Sequence, residues 1–355
     1  MNNRRIIESF DRWRNERMPM ALATVYETLG STYSKAGHRI VIAADGRYSG
    51  LISGGCLEGD LAEHAAQVLR ARSAAPVTYD LRDEVDDVFG LGVGCNGLIR
   101  VFIQPLLPEQ GYEPFATLRA LYDRPQDCSC ATVIESDEAG LPSGATFLFG
   151  ADGACTSVGS GGDAQTFAAL VASWRLGAGE PRVQTGFIRR NGLGVLFAPI
   201  VPIPRLLVLG AGLDAIPLVR MAIELGWYVE IVDHRPAYLQ RGEFSSADAV
   251  RLVDPRSADH TLGPHPAFDA AVVMSHHLET DAAYLRVLAA SAVRYLGVLG
   301  PPARREKLLE RLEAEFPDLR RRLHGPIGLD IGGAGPSAIA LSILAQLQSV
   351  FGGAA

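Results

Sequence analysis

The pattern of hydrophobic and polar positions changes character near the middle of the chain. In the first part, short apolar runs between turn residues predict strands, as at 20–27, while the run at 56–72 repeats with helical spacing. After Pro204 the pattern becomes strand, helix, strand, which is typical of a parallel sheet covered on both faces. We therefore predict an α/β domain over 1–203 and a doubly wound α/β domain over 204–355.

The first domain contains an internal repeat. Ala-Asp-Gly followed by Ser-Gly-Gly occurs with the same internal spacing within 44–55 and within 151–162, and flanking segments match as well. Self-similarity of this kind indicates a duplicated structural unit. We place the first copy at about 20–108 and a diverged second copy at about 128–202, and we expect the two copies to pack face to face. Chance recurrence of short turn sequences is the alternative.

Two cysteines distinguish the first copy from the second. Cys56 is replaced by Asp163 in the second copy, and Cys95 is replaced by Arg190. A fold that accepts these replacements does not need the two thiols for packing. A chemical role for the two cysteines is therefore favoured over the alternative, which is chance substitution among small residues in glycine-rich loops. The helix predicted over 56–72 places Cys56 at a helix N-terminus, where the dipole favours a thiolate.

A glycine loop opens the second domain. Gly210-Ala211-Gly212 follows a predicted strand and begins a helix, and Asp233 ends the next strand, which is the dinucleotide-binding fingerprint in its usual context. The second domain is therefore predicted to be Rossmann-type. Asp214 places a carboxylate where a pyrophosphate would lie, so a nucleotide at this loop requires a metal ion or a proton to compensate the charge. Binding of a nucleotide here stays an open alternative.

Two further sites are candidates in the second domain. His276 follows an apolar strand at the carboxyl edge, where ligands of open α/β sheets bind, although a turn-forming role fits equally well. Asp330 lies in the glycine-rich segment 328–333, which runs into the last helix. The amides of that segment could form an anion-binding nest, or the glycines could serve the backbone conformation alone.

Composition and charge narrow the classes of function. The chain of 355 residues has 48% hydrophobic and 21% charged residues, which is typical of a globular protein, and its net charge of −7 argues against nucleic acid as a partner. With Lys35 and Lys307 as its lysines, the chain must hold an anion by arginine or backbone amides. Five cysteines at irregular spacing do not predict a disulfide framework. The N-terminus matches neither a secretory signal nor a membrane span, so we predict a cytoplasmic protein without membrane contact.

Taken together, these motifs resemble the XdhC/CoxI family over nearly the whole chain, and least over 131–201. The motifs that carry the resemblance are Ser53-Gly54-Gly55-Cys56-Leu57-Glu58, Gly94-Cys95, Gly210-Ala211-Gly212, Val232-Asp233-His234-Arg235-Pro236 and Gly328-Leu329-Asp330-Ile331-Gly332. The resemblance implies an accessory protein of molybdenum hydroxylases, which binds molybdenum cofactor, assists its sulfuration with a cysteine desulfurase and delivers it to the apoenzyme. Pro301-Pro302 depart from the family pattern and put in doubt an anion contact at that loop.

The resemblance implies a cofactor-binding chaperone of a xanthine dehydrogenase-type enzyme rather than an enzyme, with no catalytic residue assigned. Cys56 and Cys95 are the candidate contacts to molybdenum or sulfur, and a homodimer is an open alternative to a monomer. The implied cofactor-binding residues are Ser53, Gly54, Gly55, Cys56, Gly94, Cys95, Gly210, Gly212, Asp233, His276 and Asp330.

Two other functions compete with the chaperone. The first is an NAD(P)-dependent oxidoreductase that uses the Gly210 loop, with His276 as general acid or base. Asp214 and the lack of a lysine near the fingerprint argue against it. The second is a thiol-dependent sulfurtransferase, which would carry a persulfide on Cys56.

Overall fold

The computed structural model describes residues 3–82, 97–123, 128–138, 140–150, 152–159, 161–174, 185–240, 242–262 and 268–352. The chain divides into two compact units, Met1–Pro202 and Ile203–Ala355. Gly94 and Cys95 lie outside the described residues. In the part of the chain that is described, no helix combines the length and the apolar content needed to cross a bilayer.

The first unit begins with a five-stranded antiparallel sheet, ordered β3-β2-β1-β5-β4. Ile6, Ile7, Phe10 and Trp13 of its first helix are buried, as the helical spacing of these residues predicts. The elements are α1 (Asn3–Asn15), β1 (Met20–Gly30), β2 (Arg39–Ala43), β3 (Tyr48–Ser49), α2 (Glu58–Ala71), β4 (Ala75–Asp80) and β5 (Gly97–Leu106).

A second five-stranded antiparallel sheet follows, ordered β8-β7-β6-β10-β9. Strand for strand, this is the order of the first sheet, and a helix follows the third strand of each, so the predicted duplication is present in the fold. The elements are α3 (Phe115–Tyr122), β6 (Cys128–Ser136), β7 (Thr146–Gly150), β8 (Cys155–Val158), α4 (Ala164–Ser173), β9 (Gly186–Arg190) and β10 (Leu193–Ile200).

The two sheets pack against each other through the faces that are turned away from α2 and α4. Side chains alternate along a strand, so Val25 and Val101 pack under α2 while Tyr26 and Phe102 point to the other face. On that face they meet buried residues of the second copy in one apolar cluster, together with Ile134 and Leu196. The contact between the two copies therefore does not cover the loops that precede α2 and α4.

The second unit is a six-stranded parallel sheet, ordered β13-β12-β11-β14-β15-β16. This is the doubly wound, Rossmann-like architecture that the glycine fingerprint predicts. The elements are β11 (Arg205–Leu209), α5 (Ala215–Glu224), β12 (Tyr228–Asp233), α6 (Pro236–Leu239), β13 (Ala249–Leu252), α7 (Ala258–Leu262), β14 (Ala270–Val273), α8 (Leu278–Ala289), β15 (Tyr295–Val298), α9 (Pro302–Leu312), α10 (Leu319–Arg322), β16 (Leu323–His324) and α11 (Pro336–Gly352).

Apolar clusters fill both faces of this sheet. One lies under α8 and α9, and the other lies under α5 and α11. The strands are therefore nearly continuous in hydrophobicity, as expected for a parallel sheet that is covered on both sides. Strand order reverses between β11 and β14, so the loops at their carboxyl ends form the position where such folds bind ligands.

Two element boundaries shape the first candidate site. β3 ends at Ser49, because Gly50 has a φ of +112° and lies against the Arg39 carbonyl. The helix predicted to begin at Cys56 begins at Glu58. Residues 50–57 therefore form a loop, which places Cys56 just before the helix rather than within it.

Candidate functional site

The first candidate site is the loop of residues 52–57, between β3 and α2. Gly54 and Gly55 have φ values of +83° and +111°, a region that favours glycine. A Cβ at Gly55 would meet no atom within 4 Å, so backbone conformation and not packing requires the glycine. Cys56 is exposed at the end of this loop. Its thiol is thus presented to solvent by a backbone that glycine makes possible.

A buried carboxylate holds this loop together. The side chain of Glu58 is fully buried and accepts hydrogen bonds from the amides of Ile52 at 2.8 Å, Ser53 at 2.9 Å and Gly55 at 3.0 Å. The Ser53 hydroxyl donates to it at 2.6 Å and accepts from the Leu57 amide at 2.8 Å. One carboxylate therefore holds three loop amides and the Ser53 hydroxyl, which fixes the backbone that carries Cys56.

The charge state of Glu58 follows from these contacts. Burial alone would raise the pKa of Glu58, but the Ser53 hydroxyl and the amides of Ile52 and Ser53 outweigh burial, and the net effect lowers the pKa. A carboxylate in the first turn of α2 would oppose a thiolate at Cys56 if its charge faced the sulfur. In the structure, the Glu58 carboxylate instead accepts hydrogen bonds from the loop amides. The spacing of residues in the sequence did not indicate that contact.

The three other thiols in the described part of the chain are less exposed to solvent than Cys56. Cys130 is buried, Cys128 and Cys155 are half-buried, and burial raises the pKa of each of these three thiols. Within the described ranges, no three His, Cys, Asp or Glu side chains are grouped so that they could hold a metal ion. Cys56 is therefore suited to be one soft sulfur contact to a metal centre that brings its other ligands with it.

The second candidate site is the glycine loop at the carboxyl end of β11. Gly210 has a φ of +126°, and a Cβ there would lie 2.5 Å from the Met274 carbonyl oxygen, so only glycine fits. In the part of the chain that the structure describes, the amides of Gly212 and Leu213 donate to no protein acceptor. They precede α5, and free amides at a helix N-terminus are suited to bind an anion.

Asp233 ends β12 and is fully buried beneath this loop. Its carboxylate accepts from the Ala211 amide at 2.6 Å and forms an ion pair with Arg235 at 2.8 Å. Burial would raise the pKa of Asp233, but Arg235 and the Ala211 amide more than offset this, so the pKa is lowered. Asp233 therefore ties the loop to the sheet and is committed to protein donors, which disfavours the ribose contact that this position makes in dinucleotide enzymes.

His276 and Asp214 meet over the same loop. The Nε2 atom of His276 lies 2.7 Å from the Oδ2 of Asp214, and the imidazole is exposed. A Cβ on Gly212 would lie 2.4 Å from Asp214 Oδ1, so the carboxylate covers the loop. His276 has a φ of +63°, unusual for a residue with a side chain. The sequence identified both residues separately, but their pairing depends on two loops 62 positions apart in the chain.

Asp330 lies in an exposed segment before α11. Gly328 donates to the Gln346 side chain at 2.7 Å, and the Leu329 amide donates to the Ser342 carbonyl at 3.1 Å. The beginning of the segment is thus anchored to α11, while Leu329 and Ile331 remain exposed at 41% and 49%. The anion-binding nest of backbone amides around Asp330 therefore stays a prediction.

Comparison with known proteins shows to which family the chain belongs. The XdhC Rossmann domain model matches residues 206–347, and the XdhC and CoxI family model matches residues 13–80. A Bacillus subtilis (strain 168) protein, named as a probable xanthine dehydrogenase subunit, is 31% identical over 333 residues, which cover 92% of this chain and 91% of the relative. The chain belongs to the XdhC/CoxI family. The two family matches include the Cys56 loop, the Gly210 loop, Asp233, His276 and Asp330.

Two further relatives of this XdhC/CoxI family member extend over most of its length. The molybdenum cofactor insertion chaperone PaoD of Escherichia coli (strain K12) is 24% identical, over 93% of this chain and 82% of that protein. A solved xanthine dehydrogenase structure from Bacillus halodurans is 27% identical with a TM-score of 0.73, over 98% of this chain and 96% of that chain. The architecture of both units is therefore shared by a solved protein of similar length.

Proposed function

We propose that this XdhC/CoxI family protein binds molybdenum cofactor, assists its sulfuration and supports its insertion into a xanthine dehydrogenase-type molybdenum hydroxylase. The observation that carries the proposal is the exposed Cys56 thiol on a loop held by the buried Glu58 carboxylate. The similarity to PaoD supports it, because that protein is named as a cofactor insertion chaperone. Because the loop is already held in one conformation, binding of a metal by the Cys56 sulfur would not carry the entropic cost of ordering the chain.

Each candidate residue has a place in this proposal. Cys56, with Cys95 as the second thiol, contacts the molybdenum or its sulfur, and the neighbouring glycines let the cofactor approach the backbone. The Gly210 loop receives the phosphate of the cofactor or of a nucleotide attached to it. The carboxylate of Asp214 opposes an anion there, so His276 would supply the compensating positive charge when it is protonated.

The proposed partners are the hydroxylase apoenzyme and a cysteine desulfurase. Exchange of a desulfurase persulfide with the Cys56 thiolate would release the desulfurase thiolate and place the transferable sulfur next to the bound cofactor. Replacement of an oxygen of the cofactor by that sulfur would release water and regenerate the Cys56 thiol, with two electrons supplied by an external thiol reductant. An oxidoreductase role is disfavoured by Asp233, because its carboxylate is already bound to Ala211 and Arg235. Assembly as a homodimer and a cytoplasmic location stay predictions.

Retention of the pterin tests the proposal. Anaerobically purified protein is mixed with molybdenum cofactor and passed over a desalting column, and retained pterin is measured as its fluorescent oxidation product. We expect the wild type to retain pterin, and Cys56→Ser to lose at least about tenfold in affinity, since a soft metal contact is removed. Cys155→Ser, a half-buried thiol of the second copy, is the matched control and should retain pterin.

Two outcomes would contradict parts of the proposal. Equal retention by wild type and by the double variant Cys56→Ser with Cys95→Ser would remove the thiols from cofactor binding. Absence of retention by the wild type would refute the chaperone function itself. A persulfide on Cys56 without any pterin retention would favour the sulfurtransferase instead, and intact-mass spectrometry detects that adduct.

A further inference from the structure

A second segment lies beside the Cys56 loop: residues 31–38, which join β1 to β2. The buried Ser34 hydroxyl donates to the Ile52 carbonyl at 2.7 Å, and the Thr32 hydroxyl donates to the Ser34 carbonyl at 2.9 Å. Side-chain hydrogen bonds of this kind hold a turn in one conformation. The position of residue 33 relative to the Cys56 loop is therefore fixed by the hydrogen bonds of the residues on both sides of it.

Tyr33 occupies that position, and the function proposed above gives it no role. This tyrosine is exposed at 60%. A Cβ on Gly54 would lie 3.9 Å from the Cδ2 of Tyr33, so one edge of the phenol ring borders the Cys56 loop. Most of the ring is open to solvent. A flat aromatic surface therefore lies beside the loop that presents the Cys56 thiol.

The same segment also contacts the beginning of β5. A Cβ on Gly97 would lie 2.6 Å from the Ser31 carbonyl oxygen and 2.6 Å from the Cγ2 of Thr32, so the segment approaches the strand closely where the glycine has no side chain. In the sequence, Gly97 comes two positions after Cys95. The segment that carries the tyrosine thus contacts the Cys56 loop and also the strand that follows the second candidate cysteine.

The second copy has a glycine at the position of this tyrosine. Gly37 and Gly144 are equivalent, because the amide of each donates at 2.8 Å to the carbonyl of a valine on the preceding strand. Four positions before these glycines lie Tyr33 and Gly140. The tyrosine therefore distinguishes the two copies in the same way as Cys56 does. An aromatic ring that is present only where the thiol is present favours a role shared with that thiol.

The chemistry of the ligand determines what such a ring can do. The pterin of molybdenum cofactor is a flat, conjugated double ring, and flat heteroaromatic rings stack on aromatic side chains. The residues before the thiol, Ser53, Gly54 and Gly55, are small and offer little apolar surface. The ring of Tyr33 supplies such a surface at the edge of the loop.

We propose that Tyr33 stacks on the pterin ring of the cofactor while the Cys56 sulfur contacts the metal or its sulfur. The inference rests on the proposed function for the identity of the ligand, and it adds a binding residue that lies outside the motifs of the family. Stacking involves the pterin and not the metal. Tyr33 therefore contributes to binding with or without molybdenum, whereas Cys56 contributes when the metal is present.

Retention of two ligands by the full chain tests the inference: molybdenum cofactor, and molybdopterin, which is the same pterin without the metal. Dissociation constants follow from the pterin fluorescence retained at increasing ligand concentration under anaerobic conditions. We expect Tyr33→Ala to weaken binding of both ligands about tenfold, because the stacking surface is removed. Tyr33→Phe keeps the ring and should bind both ligands as the wild type does. Cys56→Ser should weaken binding of the metal-containing ligand alone.

Tyr48→Ala is the matched control for the loss of an exposed tyrosine. Tyr48 is exposed at 43% on β3 of the same sheet, and within the described residues it is not a neighbour of Gly54. Its variant should bind both ligands as the wild type does. A loss in Tyr48→Ala equal to that in Tyr33→Ala would contradict a specific contact at Tyr33.

The outcomes separate this inference from the proposed function. Retention that is lost in Cys56→Ser and unchanged in Tyr33→Ala would overturn the stacking alone, and weaker activation of the hydroxylase by that tyrosine variant would then assign Tyr33 to a protein contact. An equal loss in Tyr33→Phe and Tyr33→Ala would also overturn the stacking, since the hydroxyl would be the contact. Absence of retention by the wild type would refute the proposed function and the stacking together.

Discussion

The two copies in the first unit differ in where a carboxylate stands relative to the helix that follows the loop. In the second copy, Asp163 caps α4 directly and accepts from the Gln165 amide at 3.0 Å. In the first copy, the acceptor is Glu58, inside the first turn of α2, and its carboxylate reaches back to three loop amides. With the acceptor inside the helix, the position that Asp163 occupies in the second copy is not needed as a cap. Cys56 occupies the equivalent position in the first copy.

The glycines of the two equivalent loops, one before α2 and one before α4, also differ in how closely they are packed. A Cβ on Gly162 would lie 2.6 Å from the ring of Phe147, so the loop of the second copy is packed against its core. Gly55 faces open space, and Gly54 has Tyr33 as its neighbour at 3.9 Å. The duplicated turn is therefore packed against the core in the second copy and forms an exposed loop in the first. The comparison predicts that chemistry is confined to the first copy.

Thiol labelling should show the largest difference between the copies. In a Cys95→Ser background, we expect iodoacetamide to modify Cys56 on the order of 100-fold faster than Cys130 of the second copy, because Cys130 reacts only after local opening. Burial also raises the pKa of Cys130, which lowers its thiolate fraction. Peptide mass spectrometry over time measures both rates. Similar rates for the two thiols would break the comparison.

Removal of the Glu58 carboxylate should have the next largest effect. Glu58→Ala leaves the Ile52, Ser53 and Gly55 amides without their acceptor, and we expect a loss of about 3 kcal/mol in the free energy of unfolding. Urea unfolding measures it. Asp163→Ala is the control in the second copy, where an exposed cap should cost less. A larger loss for Asp163→Ala would contradict the role given to Glu58.

The pH dependence of that contribution should be the smallest effect. The pKa of Glu58 is lowered in the folded chain, so its stabilisation is complete above the ordinary pKa of a glutamate. It is lost as the pH falls through that value and then through the lowered value of the folded state. The free energy of unfolding of wild type minus that of Glu58→Gln should therefore decrease as the pH falls. A difference that is constant with pH would show that charge is not what holds the loop.

Local signals predicted much of the fold. Helical spacing placed Ile6 and Phe10 in the core, and the fingerprint at Gly210 predicted the strand, loop and helix that the structure has. β13 and α3 were not predicted. β13 is an edge strand of four residues whose side chains are half exposed, so it lacks the apolar run that identifies the central strands.

The candidate sites were predicted residue by residue, but not as contacts. Cys56 and the two loop glycines were recognised from the repeat, whereas the inward turn of Glu58 was not. Asp214 and His276 were each noted, and their contact was not. Asp233 was expected as part of a nucleotide fingerprint and is committed to Arg235. Each of these contacts depends on which donor lies nearest in space, and spacing along the chain does not encode that distance.

The sequence by itself determined the architecture of each unit, the duplication and the position of the cysteine that separates its two copies. Hydrophobic periodicity and glycine placement act within a few residues, so a linear pattern records them directly. Only the tertiary structure decided that Glu58 is buried against the loop amides and that His276 covers the Gly210 loop with Asp214. The first contact requires the loop to fold back onto the start of α2, and the second requires two loops 62 positions apart to meet at the carboxyl edge of a sheet.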